Sequence, residues 1–251
     1  MLRREKIVDS VGGASLAHKA REAILHSILE RRFEDSRLPP ENELADMLGV
    51  SRTTVRSALQ SLQQHGVLTR SPRRGTQVHG RLSPSMVALQ RLIGFSRLLE
   101  EQGYEVDVIT TSKLTTVPPS EVQVALDLPG GSPVYEINRL FVASGKPAIW
   151  AINYIGAGLF TETPSDLQLA QSPFDMGGLL LGGPVDHALV ELVPAAATAD
   201  VVRRLGLKSK QAYLLLKETH YSGTGITLGF SLIHVNDSFV RFRLYRGGDG
   251  R

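Results

Sequence analysis

The run Leu48-Gly49-Val50-Ser51-Arg52-Thr53-Thr54-Val55-Arg56 decides how this chain is read. Gly49 has no Cβ and permits a tight turn. Ser51 follows with a side-chain oxygen able to accept a backbone N–H and cap a helix. Val55, Leu59 and Leu62 recur at helical spacing and give that helix a buried face. Its first turns carry Arg52, Thr53, Thr54 and Arg56, groups suited to phosphates and base edges. This pattern predicts the second, DNA-reading half of a helix-turn-helix.

The flanking sequence completes the motif. Leu16, Ala20, Ile24 and Ile28 repeat every fourth residue, widened by Leu25 and Leu29, and predict a first helix over Ser15–Arg32. Pro39-Pro40 ends the break after it. A short helix is expected over Glu41–Leu48, and the reading helix over Arg52–Gln64 with Gly66 just past its end. Two β segments follow, Val67–Ser71 and Thr76–Val78, joined by Pro72-Arg73-Arg74-Gly75. Three helices and a hairpin with a basic tip make a winged helix-turn-helix. Arg73, Arg74 and Thr76 are then placed to meet the DNA backbone or minor groove.

Charge supports a polyanion partner. The chain of 251 residues has a net charge of only +3, yet it is unevenly spread. Residues 1–85 hold 14 Lys/Arg against 9 Asp/Glu, and no carboxylate occurs between Asp46 and Glu100. Arg52, Arg56, Arg70, Arg73, Arg74, Arg81, Arg91 and Arg97 all fall inside that acid-free stretch. Removing carboxylates from a surface removes repulsion toward phosphate. Cysteine is absent, which excludes disulfides and thiolate metal sites and is compatible with a reducing cytoplasm. No apolar run is long enough for a membrane helix, and residues 1–15 lack the apolar segment of a secretory signal. No histidine spacing suggests a metal site, and no cofactor is expected.

The rest of the chain predicts a second domain. Residues 1–78 form the first, 79–85 a polar linker, 86–246 the second domain and 247–251 a tail. A helix is expected over Met86–Gln102. Strands are expected at Val106–Val117, Val134–Ala143, Ala148–Ile155, Ala188–Val193, Ala212–Tyr221, Ile226–Val235 and Val240–Tyr245. Helices fall near Ser120–Leu126, Phe174–Leu181 and Thr198–Leu205. This is an α+β domain with a largely antiparallel sheet. A weak repeat runs through it: Leu126-x-Leu128, Val134, Ile137 and the turn at Ser144-Gly145-Lys146 parallel Leu205-x-Leu207, Tyr213, Leu216 and the turn at Ser222–Gly225.

Two resemblances follow from these residues. Leu38-Pro39-Pro40-Glu41-Asn42-Glu43-Leu44-Ala45, with Gly49 through Arg56, Ala58-Leu59, Leu62, Gly66 and Gly75-Thr76, resembles the GntR winged-helix signature over about residues 15–78. Phe95-Ser96, Gly103, Leu126-x-Leu128, Arg139-Leu140, Gly145-x-Pro147, Tyr154-Ile155, Leu205-x-Leu207 and Ser231…His234…Asp237…Phe239 resemble the UTRA effector-binding domain of the HutC-type branch. The resemblance implies a chorismate-lyase-like fold for the second domain. It also implies a homodimeric, cytoplasmic transcription factor, not an enzyme. Its expected partners are double-stranded operator DNA and a small-molecule effector, with no membrane.

Departures from the family pattern shape the ligand expectation. Asn42 stands where Arg is frequent, and Arg73 where Gly is frequent. In the second domain Phe141 replaces an Arg common in phosphosugar-binding members, and Ala151 and Gly229 replace glutamates. Phosphate recognition favours guanidinium forks, so these changes favour an organic anion with an apolar or aromatic part. Arg139 is its expected anchor. The resemblance adds Phe95, Ser96, Ser172 and Phe174, and the aromatic content adds Phe141 and Trp150. Ser231 and His234 are placed on one face of a late strand lining the same cavity. Two rivals stay open at this point. The second domain is an enzyme of lyase-like fold, although no nucleophile–base pair or phosphate loop is visible, or it dimerises without a ligand.

Overall fold

In a computed structural model the chain divides into two compact units. The structure describes residues 16–30, 32–33, 36–64, 66–71, 75–78, 92–115 and 117–242. The expected linker 79–85, the tail 247–251 and the wing-tip residues Arg73 and Arg74 lie outside these.

The first unit contains α1 (Leu16–Leu29), α2 (Glu41–Leu48) and α3 (Arg52–Gln64), then β1 (Leu68–Ser71) and β2 (Gly75–Val78). Ala20, Ile24, Leu25 and Ile28 of α1 are buried, as are Leu44 and Ala45 of α2 and Val55, Ala58, Leu59 and Leu62 of α3. Burial of each large apolar side chain contributes roughly 1.5–3 kcal/mol. Gly49 ends α2 with φ of 64°, a left-handed value that a Cβ would resist. The Thr54 N–H then donates to Ser51 Oγ at 3.1 Å, so Ser51 caps α3 as its sequence predicts. β1 and β2 pair antiparallel from Leu68↔Val78 to Ser71↔Gly75. Arg37 bridges Gln77, and the Leu38 N–H donates to the Thr76 carbonyl at 3.0 Å, which extends the hairpin by a short third strand.

The second unit is built on one antiparallel sheet of six strands. These are β3 (Val106–Thr115), β4 (Val134–Ala143), β5 (Lys146–Gly156), β6 (Val185–Ala196), β7 (Ala212–Ser222) and β8 (Thr227–Val235), in the spatial order β3-β4-β5-β8-β7-β6. The order reads as two copies of one pattern, β3-β4-β5 and β6-β7-β8, meeting where β5 pairs β8 from Ile149↔Val235 to Tyr154↔Phe230. The helices α5 (Ser120–Ala125) and α7 (Ala199–Leu205) occupy corresponding places before β4 and β7. Both halves of the repeat expected from Val134/Tyr213 and Ile137/Leu216 thus take the same structural role.

Strand alternation sorts the side chains onto two faces. On one face Tyr154 and Phe230 pack with Val122 of α5, and Trp150 and Tyr213 pack with Val201 and Leu205 of α7. On the other, Phe141, Ile149, Ala151, Leu216 and Ile233 pack with Leu98 and Leu99 of α4 (Phe95–Glu100). Ile137 and Ile155 pack there with Leu169 of α6 (Asp166–Leu169) and with Met176.

Three expected elements differ. The helix expected over Met86–Gln102 is helical, among the described residues, only at Phe95–Glu100, because Gly94 before it is extended at ψ of 149°. Phe174–Leu181 holds only a 3₁₀ turn over Met176–Leu179, since Gly177-Gly178 is a poor helix former. Residues 240–242 are not a strand; the Val240 N–H donates to Asn236 O at 3.3 Å in a turn. One helix was not expected: α6, with a capping box between Ser165 and Gln168.

Candidate DNA-reading face and ligand cavity

The first α3 turns present the expected residues. Arg52, Thr53 and Arg56 are exposed and Thr54 is half-buried. Glu41, the first residue of α2, collects the arginines around it. Its carboxylate accepts from Arg52 Nε at 3.1 Å and from Arg56 Nη2 at 3.1 Å, and Arg70 Nη2 of β1 also reaches it. The hydrogen bond from Arg56, joined by those from Arg70 and Arg52, outweighs burial and holds the Glu41 carboxyl down at about 2. One carboxylate thus orients three guanidinium groups drawn from two elements, and each guanidinium has more donors than this contact uses. Glu41 was not among the residues expected at this face, because an acid looks unfavourable near DNA. Its signal was its place just after Pro39-Pro40, opening α2. Thr76 lies in β2, half-buried, with its carbonyl engaged by Leu38.

The second unit holds a cavity of about 200 Å³ on the sheet face away from α5 and α7. Arg139 and Phe141 line it from β4, Ala151 and Asn153 from β5, Ile233 from β8, and Glu218 and His220 from β7. Gly94, Phe95 and Ser96 at the start of α4, with Ser172, Pro173 and Phe174, cover it. Gly94 passes so close to Ser172 that a Cβ there would lie 3.4 Å from Ser172 Oγ. The cavity is smaller than the roughly 300–1,000 Å³ of sites for drug-sized ligands.

Arg139 is the pivot of this site. It is only 3% exposed, and burial pushes its guanidinium down to about 10, which leaves it a cation at neutral pH. Its Nη1 donates to Asn153 Oδ1, and its Nη2 to the Leu169 carbonyl at 2.9 Å and to the Gln171 carbonyl. Among the described residues its Nε–H has no acceptor. Among the described residues no carboxylate lies within ion-pairing distance of it. A buried cation whose partners are all neutral favours an anion beside it. Asn153 in turn donates to Ser231 Oγ at 2.6 Å.

Of the expected ligand residues, the structure brings Phe95, Ser96, Arg139, Phe141, Ser172 and Phe174 together. Trp150 and His234 do not join them. Trp150 is paired with Leu140 and next to Ala151, so alternation turns it to the α7 face. There it stacks on His234 at 4.6 Å, donates to Asn138 Oδ1 at 3.2 Å and lies under Arg204. His234 Nδ1 is 2.8 Å from the Tyr213 hydroxyl, and burial lowers its pKa to about 4. Ser231 and His234 are three residues apart and therefore on opposite faces, which corrects the expectation of a shared one. Ser231 faces the cavity side but lies beneath Asn153, fully buried, and does not line the space. Gly229 sits against its neighbours, where a Cβ would lie 3.2 Å from the Tyr154 carbonyl.

Asn153, Glu218 and His220 are lining residues that sequence reasoning missed. The repeat held the signal: the offset that aligns Val134 with Tyr213 also aligns Arg139 with Glu218 and Phe141 with His220. Among the described residues, no group of three or more His, Asp or Glu could hold a metal, and no helix is long and apolar enough to cross a membrane.

Comparison with known proteins places both units. Residues 16–78 match the bacterial regulatory proteins of the gntR family, and residues 101–239 match the UTRA domain. The chain is 30% identical to the transcriptional repressor NagR of Bacillus subtilis over 192 residues, 76% of this chain and 77% of NagR. It is 34% identical to the transcriptional regulator GgaR of Escherichia coli over 124 residues, 49% of this chain and 48% of GgaR. Its fold matches the crystal structure of YydK, a possible transcriptional regulator of Bacillus subtilis. That match has a TM-score of 0.66 at 18% identity and covers 92% of this chain and 99% of YydK. The two-unit architecture, the capped reading helix and these matches lead to one conclusion: the chain belongs to the gntR family of bacterial transcriptional regulators and carries a DNA-binding helix-turn-helix and a UTRA domain, not an enzyme.

Proposed function

We propose that this regulator is a cytoplasmic homodimeric repressor that a small organic anion releases from a palindromic operator. Each subunit lays α3 in the major groove through Arg52, Thr53, Thr54 and Arg56, and sets its wing, with Arg73, Arg74 and Thr76, alongside. Two-fold symmetry of a dimer calls for a palindromic site. The observation that carries the ligand reading is Arg139: a buried cation lining the cavity that, among the described residues, has neither an acceptor for its Nε–H nor a counter-anion. Phe141 and Ala151 at the same cavity favour an apolar or aromatic ligand body over a phosphosugar.

Arg139 also supplies a route from ligand to protein. The carbonyls it holds, Leu169 and Gln171, lead directly into the covering residues Ser172–Phe174. An anion that draws the guanidinium toward itself competes with those carbonyls and shifts the cover. The ligand regulates DNA binding to the extent that it prefers one cover arrangement over the other.

The test is a thermal-shift screen of organic acids, sugars and aromatic metabolites against the full chain, since a bound ligand raises apparent stability. Each compound that stabilises is then titrated into the protein–operator complex. The expected result is an organic acid that both stabilises the protein and releases DNA. Stabilising compounds that leave DNA binding unchanged would instead support a regulator that works without a ligand.

A further inference from the structure

The cavity carries opposite charges at corresponding positions of its two halves. Arg139 of β4 and Glu218 of β7 are repeat equivalents, and both line it. They do not pair with each other. Arg139 is held by Asn153 and two backbone carbonyls, and the ionisable side chain beside Glu218, among the described residues, is His220, whose Nε2 lies 3.3 Å from Glu218 Oε2. Among the described residues, no Lys or Arg stands within ion-pairing distance of Glu218. Its neighbour Lys217 faces the opposite side of the sheet and pairs with Glu121.

The sheet keeps the two charges apart. Asn153 pairs Ser231, and Ser231 pairs Glu218, so β5 and β8 stand between the strands that bear Arg139 and Glu218. Three interstrand steps separate those strands by about 14 Å, and both side chains reach in across that gap. Between them the floor is Ala151, Asn153 and Ile233, and Phe95, Phe141 and Phe174 stand around it. Phe174 packs on the His220 ring at 5.5 Å, which holds the imidazole beside Glu218. Both charges are buried: Arg139 is 3% and Glu218 9% exposed. Two buried, opposite charges that do not pair with each other, on either side of a largely apolar cavity, suit one molecule that answers both.

We propose that the ligand of this cavity is a zwitterion, with an anionic group at Arg139, an ammonium or similar cationic donor at Glu218 and His220, and a short apolar or aromatic body between. This rests on the cavity being the effector site, and it narrows the ligand from an organic anion to an amphoteric one. A plain carboxylic acid satisfies Arg139 but leaves buried Glu218 with His220 alone beside it among the described residues. A plain amine does the reverse.

The experiment compares three matched probes, 4-(aminomethyl)benzoate, benzoate and benzylamine, binding to the full chain by ligand-observed NMR. The zwitterion is expected to bind at least about tenfold more tightly than either half. In E218Q that advantage over benzoate should vanish, whereas E218D, which keeps the carboxylate, should retain it. Benzoate binding as well as the zwitterion would overturn the proposal while leaving the cavity an anion site. An advantage that survives in E218Q, or no binding by any probe, would overturn it too. The broader effector reading is judged separately, by operator release.

Discussion

Glu41 Oε2 and Arg56 Nη2 are 3.1 Å apart, joining the start of α2 to the second turn of α3 across the turn at Gly49. The same carboxylate holds Arg52 and Arg70. This arrangement spends one acid to fix the direction of three cations. Replacing Glu41 by Gln should therefore separate affinity from specificity. Removing the charge favours general attraction to DNA, and freeing the arginines weakens base selection. The ratio of operator to random-sequence binding, read by fluorescence anisotropy, should fall by about tenfold. An unchanged ratio would mean that Glu41 does not organise the reading face.

Arg52 and Arg56 differ from wing and strand cations by their place on α3. Arg52→Ala should weaken operator binding by about 1–3 kcal/mol and relax base preference at one position of each half-site. A residue that only grips phosphate would instead lower the salt slope by about 1 with no change in preference. Binding-site selection at two salt concentrations distinguishes the outcomes.

Acid should unfold the second unit early. Burial lowers His234 to about 4, so the unfolded chain takes up a proton that the folded one refuses. The stability that this residue gives is full above about 6.5, the ordinary histidine value, and is lost as pH falls from there toward 4, by up to about 3 kcal/mol. Trp150, the single tryptophan, stacks on His234 and reports this unit's unfolding. Urea titrations followed by its fluorescence should show that fall in wild type and a flatter pH profile in His234→Gln. Equal slopes would remove His234 as the cause.

The cavity needs its small floor. Ala151 is 2% exposed and lies across from Arg139 in the strand register. Ala151→Trp fills the space between the charged walls and should abolish ligand-induced thermal stabilisation. Operator affinity, which depends on the other unit, should stay within about twofold of wild type. Retained stabilisation by a ligand would place its site elsewhere.

Much of this was legible in the sequence, and the rest was not for definable reasons. The reading helix declared itself locally: Gly49, Ser51 and the Val55-Leu59-Leu62 stripe each carry their own signal, and the structure places all of them as expected. Arg139 and the cover residues followed from resemblance, and Phe141 from its departure from the family pattern. Trp150 and His234 went astray because the face a strand residue takes depends on register, which one strand read by itself does not reveal. Asn153, Glu218 and His220 were hidden for a different reason. They come from strands that are distant in sequence, and only the pairing of β5 with β8 brings the two halves together.

The central claim is that a ligand held at Arg139 governs DNA binding from a separate unit. It is tested most directly by fluorescence anisotropy of a labelled operator, titrated with a compound that stabilises the wild-type protein, in wild type and in Arg139→Ala. The account predicts release from wild type, and equally tight operator binding with no release in the variant. Release that persists undiminished in Arg139→Ala would contradict it.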